Sequence, residues 1–117
     1  MVESPIKKKS VDFALRIIKL YKYVTNSKNE YVLSKQLLRS GTSIGANISE
    51  AEYAQSKADY IAKMSISLKE TNETVYWLEL LYKSDYLNEA EYTSINENAV
   101  ELLKMLTSIV KNSKTNI

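Results

Sequence analysis

The sequence predicts an all-α protein that folds as an antiparallel, up-down-up-down four-helix bundle. Apolar residues recur at intervals of three and four along most of the chain, which is the spacing of one face of an α-helix. Only two glycines and one proline occur in 117 residues, so turns are rare and helices are long. Three short polar segments separate the helical stretches, which makes consecutive helices antiparallel neighbours. The length predicts a single domain, residues 1–117.

The first predicted helix covers about residues 5–25. Ser4 and Pro5 are typical of a helix start, with serine as the N-cap and proline at the first helical position. Its apolar stripe is formed by Phe13, Ile17, Leu20 and Val24. The polar cluster at residues 25–29 favours a turn and is not expected to be buried, so the helix is predicted to end there.

The second predicted helix covers about residues 30–54 and contains both glycines, Gly41 and Gly45. Its apolar stripe is formed by Leu33, Leu37, Ile44, Ile48 and Ala51. A glycine inside a helix costs roughly 1 kcal/mol against alanine, so two of them four residues apart indicate a groove where another backbone approaches closely. The alternative is that the helix breaks at residues 40–42. The stripe keeps its phase across this point, which favours a continuous helix.

The third predicted helix covers about residues 57–84 and begins at Ser56, with Asp59 completing a variant of the capping box. A first apolar seam is formed by Ile61, Met64, Leu68, Thr71, Val75, Leu78 and Tyr82. A second seam contains Ile66, Lys69 or Glu70, Glu73, Trp77 and Leu80. A helix with one buried face needs only one stripe. This helix is therefore either central in the bundle or shared with a neighbouring subunit.

The fourth predicted helix covers about residues 89–112. Asn88 and Glu91 form a capping box at its start. Its apolar stripe is formed by Tyr92, Ile95, Ala99, Leu102, Leu106 and Ile109. No alternating strand pattern competes with the four helices, and no internal repeat is present.

The composition argues against an enzyme, a metal site or a bound cofactor. The chain has no histidine and no cysteine, so the commonest general base and the usual zinc ligands are missing. Five acidic residues could be read as a carboxylate cluster: Glu50, Glu52, Glu70, Glu73 and Glu79. Di-iron bundles add histidines to such glutamates, and this chain has none. Glu52, Glu70 and Glu79 are therefore expected to be mostly solvated, and Glu50 and Glu73 to belong to a polar network. Serines near lysines lie inside regular helices, which offer no oxyanion hole.

The sequence predicts a cytoplasmic protein that is not inserted in a membrane. No run of about 18 apolar residues occurs, and no apolar segment follows the basic N-terminus as in a secretory signal. The absence of cysteine agrees with a reducing compartment.

Several polar residues lie where a packing surface is expected. We predict an inter-helix or subunit network that includes Arg39, Asn47, Glu50, Lys69 and Glu73, with Lys69 and Glu73 four residues apart on one helix. The candidate helix-packing or oligomer-interface residues are Gly41, Gly45, Asn47, Glu50, Lys69, Glu73 and Trp77.

Positive charge is concentrated in the first third of the chain. Residues 1–40 contain nine Lys/Arg and three acidic residues, against seven and eleven in the remainder, so the net charges are +6 and −4. The candidate nucleic-acid-binding residues are Lys7, Lys8, Lys9, Lys19, Lys22, Lys35 and Arg39. Nine tyrosines offer stacking surfaces beside them. The alternatives are a simple solvated face for the lysines and rim packing for the tyrosines.

Three segments carry a family resemblance: FALRII at residues 13–18, SGTSIGANI at 40–48 with Glu50 and Ala51 following, and LKETNET at 68–74 leading into YWLELL. Together they resemble a bacterial four-helix-bundle family that includes the proteins encoded by intervening sequences in large-subunit ribosomal RNA genes. The resemblance covers about residues 6–112. This family is also similar to the accessory variability determinant of diversity-generating retroelements.

The resemblance implies a four-helix protomer that assembles into a ring-like homopentamer. The accessory determinant is a basic pentamer that engages a reverse transcriptase and nucleic acid, whereas the wider family has no assigned biochemical function and no catalytic residues. We therefore predict a non-enzymatic, oligomeric accessory or scaffold protein that binds RNA, DNA or a ribonucleoprotein through its basic first helix. The alternative is a protein–protein interaction scaffold without nucleic-acid contact.

Overall fold

Four long helices make up the computed structural model, which describes residues 4–115 of the chain. They are α1 (Pro5–Lys28), α2 (Leu33–Ala51), α3 (Lys57–Lys83) and α4 (Glu89–Thr115). The described residues contain no β-strand. The helices lie side by side in a bundle of 46 × 24 × 23 Å, which confirms the predicted all-α four-helix fold.

The helices pack in the order in which they follow along the chain. The contact of α2 with α3 is the most extensive, those of α1 with α2 and α3 with α4 are intermediate, and the contact of α1 with α4 is the thinnest. All four helices contribute to one continuous core. Among its fully buried side chains are Ile17, Leu37, Ile44, Leu78 and Leu106.

Helix α1 begins as predicted but extends three residues further. The Lys7 backbone N–H donates to the Ser4 hydroxyl at 3.3 Å, which confirms Ser4 as the N-cap. Thr25 is buried, contrary to the expectation that the polar cluster stays outside, because its hydroxyl donates to the Tyr21 carbonyl at 2.8 Å. The helix therefore runs on to Lys28 and ends at Asn29, which has a left-handed backbone with φ 55°.

Glu30 lies before α2 rather than inside it, so the helix starts three residues later than predicted. Val32, at the N-cap position, contributes no side-chain hydrogen bond. The Glu30 carboxylate instead accepts hydrogen bonds from the backbone N–H groups of Val32, Leu33 and Ser34 at 2.9, 2.9 and 2.8 Å. One buried side chain thus satisfies three donors that a helix start leaves without partners.

The hydrogen bonds to Glu30 favour its charged form. Burial by itself raises the pKa of the carboxyl group, but the N–H groups of Leu33, Ser34 and Val32 together outweigh burial and hold the pKa below its ordinary value of 4.5. Because the pKa is lower in the folded chain, this group stabilises the fold above about pH 4.5. The stabilisation is lost as the pH falls through the folded-state pKa.

Replacing Glu30 with alanine is expected to lower the free energy of unfolding by about 2 kcal/mol at pH 7, since three helix N–H groups lose their acceptor. The difference from the natural protein should shrink as the pH falls below about 4.5, where Glu30 becomes protonated. Urea unfolding followed by circular dichroism at pH 7 and pH 3.5 measures both effects. Glu97→Ala removes an exposed carboxylate and serves as the control. Equal losses for both variants would show that Glu30 has no capping role.

Helix α2 continues without a break through residues 40–42, which excludes the alternative of a break there. It ends at Ala51, three residues before the predicted end. The Tyr53 and Ala54 N–H groups donate to the carbonyls of Glu50 and Ala51, each at 3.1 Å, so the chain tightens into a turn.

The starts of α3 and α4 agree with the capping residues identified in the sequence. The Asp59 N–H donates to the Ser56 hydroxyl at 3.0 Å. Asn88 and Glu91 exchange two hydrogen bonds, each of 2.8 Å, as a complete capping box. Helix α4 extends three residues beyond its predicted end, to Thr115.

Candidate nucleic-acid interface and packing site

The groove made by the two glycines of α2 holds α1 of the same chain. A Cβ atom on Gly41 would lie 2.9 Å from both Cγ atoms of the fully buried Ile17. A Cβ atom on Gly45 would lie 3.2 Å from the Ser10 hydroxyl oxygen. The glycines therefore permit close packing inside one protomer.

A row of small hydroxyl side chains fills the contact between α2 and α3. The sequence pattern placed Thr71 on the first seam of α3 but did not predict that serines and threonines would line this contact. The Ser67 hydroxyl donates to the Ile44 carbonyl at 2.9 Å, across the two helices. The hydroxyls of Thr74 and Ser40 lie 2.9 Å apart, and Thr71 donates to the Ser67 carbonyl at 2.8 Å. All four hydroxyl-bearing residues are fully buried. The sequence feature that could have revealed this row is its helical spacing, because small residues three and four positions apart lie on one face of a helix.

A polar cluster lies where α2 and α3 meet the solvent. Arg39 pairs with Glu70 through a 3.2 Å contact and also pairs with Glu73. The Trp77 indole N–H donates to the same Glu73 carboxylate at 2.9 Å. The cluster holds Arg39 and Glu73 as predicted and adds Glu70, whose side chain is largely buried although a solvated role was expected.

The other predicted members of the network lie apart from this cluster. Asn47 donates to the Ser43 carbonyl one turn earlier at 2.9 Å, and Glu50 pairs with Lys63 at 3.3 Å. Lys69 is exposed and forms no ion pair within the described part of the chain. Glu73 faces Arg39 rather than Lys69, because the neighbouring helix supplies a guanidinium with two donors.

Four of the seven candidate nucleic-acid-binding residues form ion pairs inside the protein. Lys7 pairs with Glu52 at 3.3 Å, Lys8 with Asp12 at 3.2 Å and Lys9 with Glu101 at 3.0 Å. Arg39 is paired as described above. Their positive charge is therefore partly offset within the bundle.

The other three candidates, Lys19, Lys22 and Lys35, are exposed and form no ion pair within residues 4–115. Lys28 lies close to them along the chain, with its ammonium 5.8 Å from the centre of the Tyr23 ring. These four lysines, here named the basic end, occupy the last three turns of α1 and the first turn of α2. The exposed Tyr31 lies in the connection between these helices.

Two exposed apolar patches lie on different helices. The α1 patch contains Val11 and Leu15, which are 41% and 57% exposed and four residues apart. The name α3 patch is given to two exposed side chains, Ile66 and Tyr76, which are 41% and 52% exposed and lie ten residues apart on the helix. The centres of the Tyr76 and Trp77 rings are 5.1 Å apart in an edge-to-face arrangement. The second seam of α3 is thus incompletely covered within a single protomer.

The described residues contain no group of three or more acidic, histidine or cysteine side chains arranged to hold a metal ion. None of the helices in this part of the chain has the length and apolar character needed to cross a membrane.

A family model described as 23S rRNA-intervening sequence protein matches residues 3–108. The chain belongs to this family. The match agrees with the resemblance found in the sequence, and it includes α1, α2, α3 and most of α4. No curated protein matches the chain.

A solved relative supports membership of the 23S rRNA-intervening sequence protein family. It is a protein of unknown function from the S23 ribosomal protein family of Bacteroides thetaiotaomicron VPI-5482, with a crystal structure at 1.70 Å resolution. The two sequences are 57% identical, and the aligned region covers 91% of this chain and 98% of the other. The TM-score is 0.89, so the same helix arrangement has been observed in a crystal.

Proposed function

We propose that this member of the 23S rRNA-intervening sequence protein family is a non-enzymatic accessory protein that assembles into a homo-oligomeric ring and contacts nucleic acid through its basic end. The observation that carries the proposal is the presence of two separate exposed apolar patches on one small protomer. The basic end supplies the second part of the argument.

The two apolar patches support a ring. Association through one patch on itself closes a dimer, whereas a contact between two different patches joins copies head to tail and builds a closed ring or an open filament. Packing of the α1 patch of one copy on the α3 patch of the next would cover Leu15, Ile66 and Tyr76 together. Exposed apolar side chains one turn apart, such as Val11 and Leu15, are typical of interaction surfaces. The pentamer expected from the family resemblance is the ring that we propose.

The basic end supports contact with a polyanion. Lys19, Lys22, Lys28 and Lys35 form no ion pair within the described residues, so their charges are available to phosphates. A net charge of +2 per chain is small, but a ring repeats the basic end in every subunit. Several weak contacts on one RNA then act together, because the second contact forms at a high effective concentration.

If the pentameric ring forms, size exclusion coupled to light scattering should give a mass near five times 13.4 kDa. Leu15→Glu should shift this mass to that of a single chain, because a charge replaces an apolar side chain in the contact. The helix content should not change, since Leu15 is 57% exposed in the protomer. Thr107→Glu adds the same charge at an exposed position of α4 outside both patches and should preserve the assembly. A single-chain mass for the natural protein would rule out the ring.

For nucleic acid, a variant with Lys19, Lys22 and Lys35 replaced by glutamine should bind a fluorescent RNA hairpin at least tenfold more weakly at low salt. The slope of affinity against salt should also fall by about 0.7 to 0.9 per lysine lost from the contact. A variant with Lys7, Lys8 and Lys9 replaced by glutamine changes the net charge equally, but those lysines already have carboxylate partners. Fluorescence anisotropy measures the affinity of both variants for the hairpin. Equal losses of affinity would show that binding follows net charge alone.

The second candidate function is a scaffold for a partner protein, and the ion pairing of Lys7, Lys8, Lys9 and Arg39 favours it. The accessory determinant of diversity-generating retroelements suggests a nucleic-acid enzyme such as a reverse transcriptase as the partner. A pull-down with the purified ring separates the two functions. A bound protein that survives nuclease treatment and a wash in 0.5 M salt would support the scaffold. This salt concentration is roughly fivefold above the ionic strength at which exposed charges are already well screened.

A further inference from the structure

The groove between α1 and α4 is the most open contact of the bundle. Two adjoining cavities of about 130 and 390 Å³ lie along it, and Arg16 lines both. The larger cavity has an apolar side formed by Leu20, Tyr23 and Ile95. Its polar side is formed by Arg16, Lys19, Ser94 and Glu91.

Arg16 is held in this groove by neutral oxygen atoms. Its Nη1 group donates to the Ser94 carbonyl at 3.3 Å and to the Asn98 side-chain oxygen, and its Nη2 group donates to the Ser94 hydroxyl at 3.0 Å. No carboxylate pairs with Arg16 among residues 4–115. The guanidinium is thus fixed in position and keeps its full positive charge.

Two hydrogen-bond donors of Arg16 have no acceptor in the described structure. A guanidinium has five N–H groups, and three of them serve Ser94 and Asn98. The two that remain are the Nε–H and one Nη2–H. Arg16 can therefore donate a charge-assisted hydrogen bond to a further acceptor such as a carboxylate oxygen.

The acidic side chains around the groove already have partners. Asp12 pairs with Lys8 at 3.2 Å, and Glu101 pairs with Lys9 at 3.0 Å. Glu91 accepts the Asn88 N–H at 2.8 Å in the capping box of α4. Lys19 is exposed without an ion pair in the described residues, so the larger cavity has an excess of positive charge beside its apolar side.

We propose that the larger cavity binds a small organic carboxylate. Its two oxygens pair with Arg16 and Lys19, and its aromatic or aliphatic body packs against Leu20, Tyr23 and Ile95. The volume of about 390 Å³ is within the range of small-molecule sites, which combine apolar walls with a few convergent polar groups. A free phosphate fits this site less well, because it would leave the apolar side uncovered. The site uses none of the apolar side chains proposed for the ring contact, and it shares Lys19 with the basic end.

The probe is 4-phenylbutyrate, with its uncharged amide as the matched control, titrated into the full-length ¹⁵N-labelled protein and followed by NMR. We expect saturable shifts of amide signals in residues 16–23 and 91–98, with a Kd of about 1 mM for a ligand of this size. The amide should bind at least tenfold more weakly, because it lacks the charge that pairs with Arg16. Equal binding of acid and amide, or shifts confined to other surfaces, would overturn the proposal.

Variants that remove a single positive charge show which side chain the carboxylate binds. Arg16→Gln should weaken 4-phenylbutyrate binding about tenfold and Lys19→Gln about threefold. Lys111→Gln removes the same charge from an exposed position near the end of α4 and should change nothing. Natural affinity in the Arg16 variant would refute the assignment. If that variant loses helical signal, Lys19→Gln and the comparison of acid with amide on the natural protein decide the question.

Discussion

Replacing Gly41 with leucine is expected to lower the free energy of unfolding by more than about 3 kcal/mol, a large part of the stability of a domain of this size. Even the first added atom would lie 2.9 Å from two carbon atoms of Ile17 and 3.3 Å from a third. Ile17 is fully buried between its neighbours and has no free space to move into. The helices α1 and α2 would have to separate, which exposes core surface. Urea unfolding followed by circular dichroism measures the loss.

Two smaller variants serve as controls for Gly41→Leu. Gly41→Ala should also destabilise, because the clash involves the base of the Ile17 side chain. Gly45→Ala should stay within about 1 kcal/mol of the natural protein. Its new methyl group would lie 3.2 Å from the Ser10 hydroxyl, and the higher helix propensity of alanine offsets this tight contact. If the urea midpoint of Gly41→Leu equalled the natural one, close packing at this glycine would not be required.

Ser67→Leu is expected to destabilise the protein by about 3 kcal/mol, the second large effect. Ser67 is fully buried in the most extensive helix contact, and its hydroxyl donates to the Ile44 carbonyl on the facing helix at 2.9 Å. Leucine would add two heavy atoms where the two helices are already close and would remove that hydrogen bond. Thermal unfolding should show the change as a lower Tm.

Ser65 offers a matched control two residues away. It lies on the same helix but is only partly buried, so Ser65→Leu should change the free energy of unfolding by less than about 1 kcal/mol. Ser67→Ala removes the hydroxyl without adding volume and should cost about 1 kcal/mol. Similar losses for leucine at positions 65 and 67 would show that the volume at Ser67 is not limiting.

The helix positions could be predicted from the sequence because the signals are local. The phase of the apolar residues placed four helices, and Ser4, Ser56 and Asn88 marked three of their starts. The start of α2 was placed too early because its cap is unusual. Glu30 caps from outside the helix with three hydrogen bonds, and no short motif signals this arrangement.

The site was harder to predict because its charges are paired across distant parts of the chain. The partners Lys7 and Glu52 are 45 residues apart, and Lys9 and Glu101 are 92 apart. Helical periodicity shows which face a lysine occupies but does not show which residue of another helix stands opposite. For the same reason Lys69 was expected to pair with Glu73, whereas Arg39 of the neighbouring helix takes that position.

The burial of these hydroxyl side chains was not predicted because serine and threonine are polar and are usually expected at the surface. Ser67 and Thr74 become core residues only when a facing helix supplies a carbonyl or a second hydroxyl. Small size, rather than polarity, was the property that mattered at both positions. Gly41 gave a clearer signal, because glycine is costly inside any helix and therefore needs a packing reason.

The thin contact between α1 and α4 bears on how the chain folds. In the described part of the protein, each extensive helix contact joins elements that follow one another, so most native contacts span short stretches of sequence. Low contact order of this kind is associated with folding in microseconds to milliseconds. A chain emerging from the ribosome can pack each helix onto the one before it. The contact of α4 with α1 joins the two helices that are farthest apart in the sequence, and it is also the thinnest contact of the bundle.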